Sequence, residues 1–280
     1  MSIYEELVVP AGLAGIATRL WQLEATPLHR YEKILPLPNV HLIVNLSDPY
    51  RLFGRAGRAA EVVDAFVSGL QRECLVIESP TRIRHVGVEL TPAGLHTMAP
   101  QHAAASAGAV QDARRLLAGV DALVAQLHAA SAPDARLRIL AEFLLRASAQ
   151  PPDRLVDDAV RAIGADLDRT IESIAAELGV SQRTLMARFR AVTGTTPKQH
   201  AQVLRFHRFV DAVHTAGGRP DWAALAVSSG YYDQPHVIRA FRRFSGWTPG
   251  EYYRLAAEHG PDAAHFVPLA QLPLAAQASA

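Results

Sequence analysis

Cysteine is nearly absent from this 280-residue chain, which contains only Cys74. A single cysteine forms no intramolecular disulfide and supplies no cysteine-based zinc site, which fits a reducing compartment. No uncharged apolar run approaches the length of about 18 residues that a membrane span needs. The segment Met1 to Glu6 lacks the basic start and apolar core of a signal peptide. These absences predict a cytoplasmic protein with no membrane contact.

Net charge is also nearly absent, because the whole chain carries only +1. That total hides a strongly uneven distribution along the sequence. The segment from Ser181 to Arg254 has eleven Lys and Arg against four Asp and Glu, so the rest of the chain is acidic. A basic excess confined to one segment is the expected footprint of a surface that contacts nucleic-acid phosphates.

The first part of the chain, up to about residue 90, is predicted to be β-rich. Short apolar runs alternate there with turn-forming residues. These runs are His41–Leu46, Glu61–Val67, Cys74–Ile77 and Ile83–Leu90. Several short strands at this spacing favour a β-sandwich or a small barrel.

Residues 91–150 change to a helical pattern, with predicted helices over Pro92–Ala99, Asp112–Ala130 and Asp134–Ala147. The apolar stripes of the last two suit packing on the β-rich part or a dimer contact, and both interpretations stay open. Pro151 and Pro152 then mark a linker. The predicted domains are therefore 1–150 and 155–257, followed by a loose C-terminal tail at 258–280.

A repeat of about fifty residues lies in the second domain, with copies at Ala175–Phe189 and Ala226–Phe241. The match continues beyond the copies, where Gly194, Thr196 and Pro197 correspond to Gly246, Thr248 and Pro249. Such duplication predicts two structural units of the same kind.

Each copy contains the parts of a helix-turn-helix. In the first, Gly179 suits a tight turn with positive φ, Ser181 suits a helix N-cap, and Leu185 and Phe189 face inward. In the second, Gly230 takes the place of the turn glycine and Asp233 that of the cap. Pro235 falls in the first helical turn, where a missing N–H costs nothing, and Val237 and Phe241 face inward.

The outward residues of the second helix in each unit are the candidate DNA contacts. Arg239 is the foremost candidate, because arginine bonds guanine through two hydrogen bonds, although a phosphate contact or a solvated charge is its alternative. The predicted base-contacting residues are Gln182, Arg183, Met186, Gln234, His236 and Arg239. The predicted phosphate-contacting residues, which position the protein without reading sequence, are Arg188, Arg190, Arg242 and Arg243.

Residues from about Leu155 to Ala257 resemble the DNA-binding domain of the AraC/XylS family of bacterial transcription regulators. The resemblance is most specific at Gly230-Tyr231, Phe241–Phe244, Gly246–Pro249 and Tyr252–Arg254. It implies seven helices, with two recognition helices joined by a linker helix and placed in successive major grooves about 34 Å apart. It also implies a cupin-like N-terminal sensor domain. The expected fold class is α+β, with that β-rich domain and a helical pair preceding an all-α double helix-turn-helix domain.

The expected function is sequence-specific transcription regulation without catalysis, metal or cofactor. The expected partners are double-stranded DNA, RNA polymerase, a small-molecule effector on the N-terminal domain and a second copy of the chain. Two alternatives stay open: a cupin-like metalloenzyme fused to a DNA-binding domain, and a constitutive DNA-binding protein with no ligand. The metalloenzyme would use N-terminal histidines as metal ligands, and the candidates are His29, His41, His85, His96 and His102. Their spacing in sequence is not the compact spacing of a metal site.

Overall fold

A computed structural model describes residues 3–54, 59–216, 220–259 and 266–272. The strands are β1 (Ile3–Leu7), β2 (Ala17–Ala25), β3 (Tyr31–Ile34), β4 (Val40–Asn45), β5 (Tyr50–Gly54), β6 (Ala59–Val62), β7 (Ala65–Ser68), β8 (Leu75–Glu78), β9 (Ile83–Leu90), β10 (Val110–Asp112) and β11 (Phe266–Leu269). The helices are α1 (Gly94–Met98), α2 (Pro100–Ala103), α3 (Val120–Ala129), α4 (Pro133–Ala147), α5 (Arg154–Ala165), α6 (Ile171–Glu177), α7 (Gln182–Thr193), α8 (Pro197–Thr215), α9 (Trp222–Ser228), α10 (Gln234–Ser245) and α11 (Pro249–His259). Within these residues, no helix combines the length and apolar character that crossing a bilayer requires.

Two antiparallel sheets form the N-terminal half, which confirms the β-rich prediction. The larger sheet has the strand order β1-β2-β9-β4-β7-β10, and the smaller has the order β11-β3-β8-β5-β6. Alternation along β4 explains how the larger sheet is covered on both faces. Leu42 and Val44 pack in the cluster that contains α3 and α4, whereas Ile43 packs with Tyr50 and Phe66 in a separate cluster.

The predicted helical pair is present, and its apolar stripes are internal. Leu127, Leu140 and Leu144 are fully buried in the same cluster as the strands of the larger sheet. The first helix of this pair was predicted over Asp112–Ala130, and its start is wrong, because the helix begins only at Val120. Gly119 precedes it with a φ of 80°, which interrupts the helical backbone. Dimerisation through this pair stays a prediction.

The run Glu61–Val67 was expected to be one strand, but it divides between β6 in the smaller sheet and β7 in the larger. Asn45 holds the intervening bend. Its backbone N–H donates to the Asp64 carbonyl oxygen, and its side-chain amide donates to the Val63 carbonyl oxygen at 3.0 Å. A period-two pattern does not show that the chain changes sheets, because the bend depends on a residue sixteen or more positions earlier.

The expectation of a loose C-terminal tail is also wrong for part of its length. β11 pairs antiparallel with β3, with Phe266 opposite Ile34. Val267 is fully buried and Leu272 packs against Phe53, so the end of the chain completes the smaller sheet. Residues 273–280 of the predicted tail lie outside the described residues, as does Arg219 of the basic segment.

Candidate DNA-binding surface

The first helix-turn-helix unit consists of α6 and α7 and has the predicted local geometry. Gly179 turns the chain with a φ of 71°, where a side chain would be strained. Ser181 caps α7 by accepting a hydrogen bond from the Thr184 backbone N–H at 3.1 Å. Leu185 and Phe189 are fully buried against the inner face of α6. The opposite face of α7 is therefore left toward solvent.

The second unit, α9 and α10, repeats this geometry. Gly230 has a φ of 80° and follows the last turn of α9. Asp233 caps α10 by accepting a hydrogen bond from the His236 backbone N–H at 2.7 Å. Val237 and Phe241 are buried, as the spacing predicted. The duplication in sequence thus corresponds to a duplication in backbone conformation.

Most of the predicted base-contacting side chains lie on exposed faces. Gln182, Arg183 and Gln234 are exposed, and Met186 is 42% exposed. Arg239 is also exposed. Neither its side chain nor that of Arg183 makes a hydrogen bond or ion pair with any residue of the described ranges.

His236 differs from the prediction of a fully outward side chain. Its ring is half-buried and stands edge-on to the Tyr231 ring, with the two centroids 5.2 Å apart. The Gly230-Tyr231 turn therefore draws His236 toward α8, because the aromatic side chain that follows the turn glycine is buried beside it.

The predicted phosphate-contacting arginines fall into two groups. Arg190 and Arg242 are exposed and have no hydrogen-bond partner in the part of the chain that the structure describes. Arg188 donates from Nε to Oδ2 of Asp153 at 2.5 Å, and Arg243 donates to Gln202 Oε1 at 3.0 Å. The last two side chains are therefore held by intramolecular contacts.

The linker helix α8 contributes two further arginines that the sequence patterns did not single out. Arg208 donates to the Gly164 carbonyl oxygen at 2.7 Å, and Arg205 donates to the Leu167 carbonyl oxygen at 2.6 Å. Arg205 also approaches the second unit, since a Cβ placed on Gly230 would lie 2.9 Å from its Nε. Arg205 therefore connects the loop before α6 to the turn of the second unit.

Three residues of the β-rich domain contact the C-terminal ends of α7 and α10. Arg72 donates to the carbonyl oxygen of Gly194, directly after α7, at 2.9 Å. Cys74 donates through its backbone N–H to the carbonyl oxygen of Phe244, in the last turn of α10, at 2.9 Å. We name Lys33, Arg72 and Cys74 the interdomain clamp. A clamp at two helix ends constrains how the two units sit relative to one another.

Lys33 is the buried charged member of the interdomain clamp. Its ammonium donates to the Ser245 carbonyl oxygen at 2.9 Å and lies 3.6 Å from the centroid of the Trp247 ring. A cation at a helix C-terminus interacts favourably with the helix dipole, and a cation over an indole face gains further stabilisation. Lys33 therefore fastens β3 to the end of α10.

A cavity of about 290 Å³ lies between the domains beside the clamp. Leu70, Arg72 and Leu37 line it from the β-rich side, and Gln199 and His200 line it from α8. The His200 ring is buried, and its Nε2 has no hydrogen-bond partner among the described residues. Burial lowers the pKa of His200 to about 4, so the ring is neutral at pH 7.

The five histidines considered for a metal site are spread over the N-terminal half. His85 is buried on β9 near Tyr50, and burial lowers its pKa to about 4. His29 stands against His259 instead, with centroids 4.8 Å apart. The remaining three lie on β4, α1 and α2, namely His41, His96 and His102. Nowhere in the described ranges do three His, Cys, Asp or Glu side chains come together as metal ligands.

Together, the fold and this surface define a β-rich domain joined to an all-α domain with two helix-turn-helix units, the architecture of a DNA-binding protein. A family model described as a helix-turn-helix domain matches residues 174–255, and one described as a domain of unknown function (DUF6597) matches residues 6–111. A protein from Streptomyces antibioticus, described as AraC-like and as a transcription regulator, is 31% identical over 131 residues. The C-terminal part of the chain is therefore similar to helix-turn-helix domains, and part of the chain is similar to an AraC-like transcription regulator.

The match to the Streptomyces antibioticus protein covers 46% of this chain and 40% of that protein. Among solved structures, ToxT from Vibrio cholerae is similar over 90% of this chain and 97% of its own, with 11% identity and a TM-score of 0.48. A DNA-binding transcriptional dual regulator from Escherichia coli K-12 is similar over 39% of this chain and 96% of its own, with 27% identity and a TM-score of 0.34.

Proposed function

We propose that this protein is a sequence-specific transcription regulator whose α7 and α10 enter successive major grooves of one DNA duplex. The observation that carries the proposal is the pair of outward faces on α7 and α10. Arg183 lies in the first turn of α7 and Arg239 lies midway along α10, and neither side chain is paired within the described residues. Guanidinium groups on an exposed recognition helix suit bidentate hydrogen bonds to guanine. In this proposal the chain acts in the cytoplasm, without catalysis, and RNA polymerase is its protein partner.

The test begins with selection of bound duplexes from a randomised DNA pool, because the operator is unknown. Affinity for the selected duplex is then measured by fluorescence anisotropy. Arg183→Ala and Arg239→Ala should each weaken binding by about ten- to a hundredfold and relax the preference at one base position. Arg138→Ala removes an equally exposed arginine from α4 and should leave affinity unchanged. Equal behaviour of all three variants would refute the assignment.

We further propose that a small-molecule effector controls DNA binding through the interdomain clamp. The clamp and the adjoining cavity support this, since both touch residues of the β-rich domain and of the two helix-turn-helix units. A ligand that favours one arrangement of the clamp would shift the relative placement of α7 and α10, and so the affinity for a two-groove site. A thermal-shift screen of metabolites tests this, because a bound ligand raises the unfolding temperature.

The same screen distinguishes effector control from the alternative of a constitutive DNA-binding protein with no ligand. A hit that raises the melting temperature should also change DNA affinity, and Leu70→Trp, which fills the cavity, should abolish both effects. Ligands that stabilise the protein without changing DNA affinity would contradict effector control while leaving DNA binding intact. We also propose that the protein acts with a second copy of the chain. Analytical ultracentrifugation, with and without the selected duplex, measures the oligomeric state.

A further inference from the structure

A second cavity, of about 160 Å³, lies between the linker helix α8 and the recognition helix α10. Three arginines line it: Arg205 from α8, and Arg239 and Arg243 from α10. Its other polar walls are Gln202, Tyr231 and His236, and no carboxylate is among the lining residues. Three guanidinium groups around one small space repel each other unless an anion lies between them.

The polar groups around this cavity are mainly hydrogen-bond donors. Arg205 Nε is enclosed and has no hydrogen-bond partner within the described ranges. The Tyr231 hydroxyl lies within the fields of Arg205 and Arg243, which act to lower its pKa, although desolvation is larger and raises it. Among the described residues, Arg205 forms its ion pair with Asp168, whose carboxylate is mostly exposed, lies 3.4 Å away and does not line the cavity.

The carbonyl oxygen of the Gln202 side chain already accepts a hydrogen bond from Arg243 at 3.0 Å. This contact holds one guanidinium at the rim, while the stacking of Arg243 over Phe244, 4.4 Å from the ring centroid, fixes its plane. Arg243 is therefore oriented before any ligand arrives. A pre-oriented guanidinium loses little freedom when it binds an oxyanion.

We propose that this cavity binds a phosphate group. Arginine forks match the oxygens of a tetrahedral oxyanion, and the volume accommodates one phosphate with its hydration. Two sources share this chemistry: a backbone phosphate of the duplex held by α10, and a free phosphorylated small molecule. The DNA source rests on the proposed function, whereas binding of free phosphate does not. In either case Arg205 and Tyr231 become ligand-binding residues.

The first experiment uses inorganic phosphate and no DNA. Phosphate is titrated against the full-length protein at constant ionic strength, with chloride as the replaced anion, and melting temperature is recorded. The wild type should show a saturable rise. Arg243→Gln and Tyr231→Phe should each weaken phosphate binding by about tenfold, since each removes one hydrogen bond to a charged group. Arg254→Gln, an exposed arginine of α11 that does not line the cavity, is the matched control.

The second experiment tests whether the phosphate group in this cavity comes from the DNA backbone or from a free small molecule. Saturating phosphate should weaken binding of the selected duplex beyond the effect of chloride at equal ionic strength, and Arg243→Gln should abolish that competition if a backbone phosphate occupies the cavity. Phosphate binding without competition assigns the cavity to a free phosphorylated molecule. Phosphate binding in a protein that selects no duplex refutes the proposed function and leaves the site standing. Absence of saturable stabilisation in the wild type, or equal loss in Arg254→Gln, overturns the proposal.

Discussion

Replacing Lys33 with methionine tests the interdomain clamp most directly. The side chain is only 8% exposed, and its ammonium donates to the Ser245 carbonyl oxygen while lying over the Trp247 ring. A hydrogen bond from a charged donor contributes about 1.5–3 kcal/mol, and a desolvated cation–π contact about 2 kcal/mol. The cost of burying the ammonium offsets part of this sum. We expect Lys33→Met to lower the free energy of unfolding by about 2 kcal/mol.

Urea unfolding measures this change with two signals. Tryptophan fluorescence reports on Trp247 next to the mutated site together with Trp21 and Trp222, and far-ultraviolet circular dichroism reports on the whole chain. Lys33→Arg retains the charge but places a larger planar guanidinium in a buried, stacked position, so it should recover only part of the lost stability. Lys198→Met removes an exposed lysine of α8 and should change stability by less than about 0.5 kcal/mol. A loss in Lys33→Met no larger than in the Lys198 control would refute the reasoning.

Three further predictions follow from burial and backbone geometry. Burial lowers the pKa values of His85 and His200 to about 4, so the unfolded chain takes up their protons first as pH falls from about 6.5. The free energy of unfolding should therefore fall between about pH 6.5 and 4, by up to roughly 3 kcal/mol per histidine, and His200→Gln should flatten this profile. Gly194→Ala should destabilise by more than about 2 kcal/mol in calorimetry, because φ is 71° and the new Cβ would lie 2.1 Å from the Ala104 carbonyl oxygen. Val267→Ala should cost about 1–2 kcal/mol in urea unfolding, and an unchanged midpoint would show that β11 is undocked in solution.

The parts of the structure that were predicted from sequence are those that local chemistry determines. Gly179 and Gly230 turn the chain because their backbone conformation excludes side chains, and Ser181 and Asp233 cap helices within three residues of themselves. Such signals need no knowledge of the rest of the fold. The outward faces of α7 and α10 follow from the same local periodicity.

The contacts that were missed depend on residues far apart in the chain. Lys33 and Ser245 are separated by 212 positions, and Arg72 and Gly194 by 122. No periodic pattern marks either pair, because each uses a backbone carbonyl oxygen as the acceptor and only one side chain. His236 was placed outward for a related reason: its helical position indicates a surface, and only the packed Tyr231 ring shows that it turns inward.

The pairing of β11 with β3 has a consequence for biosynthesis. On the ribosome, strand β3 emerges more than two hundred residues before the strand that covers its outer edge. Until β11 has been synthesised, that edge presents unpaired N–H and C=O groups to any other extended polypeptide. A nascent chain stalled before residue 266 should therefore associate with other chains more readily than one that includes β11, because β11 covers this edge of the sheet.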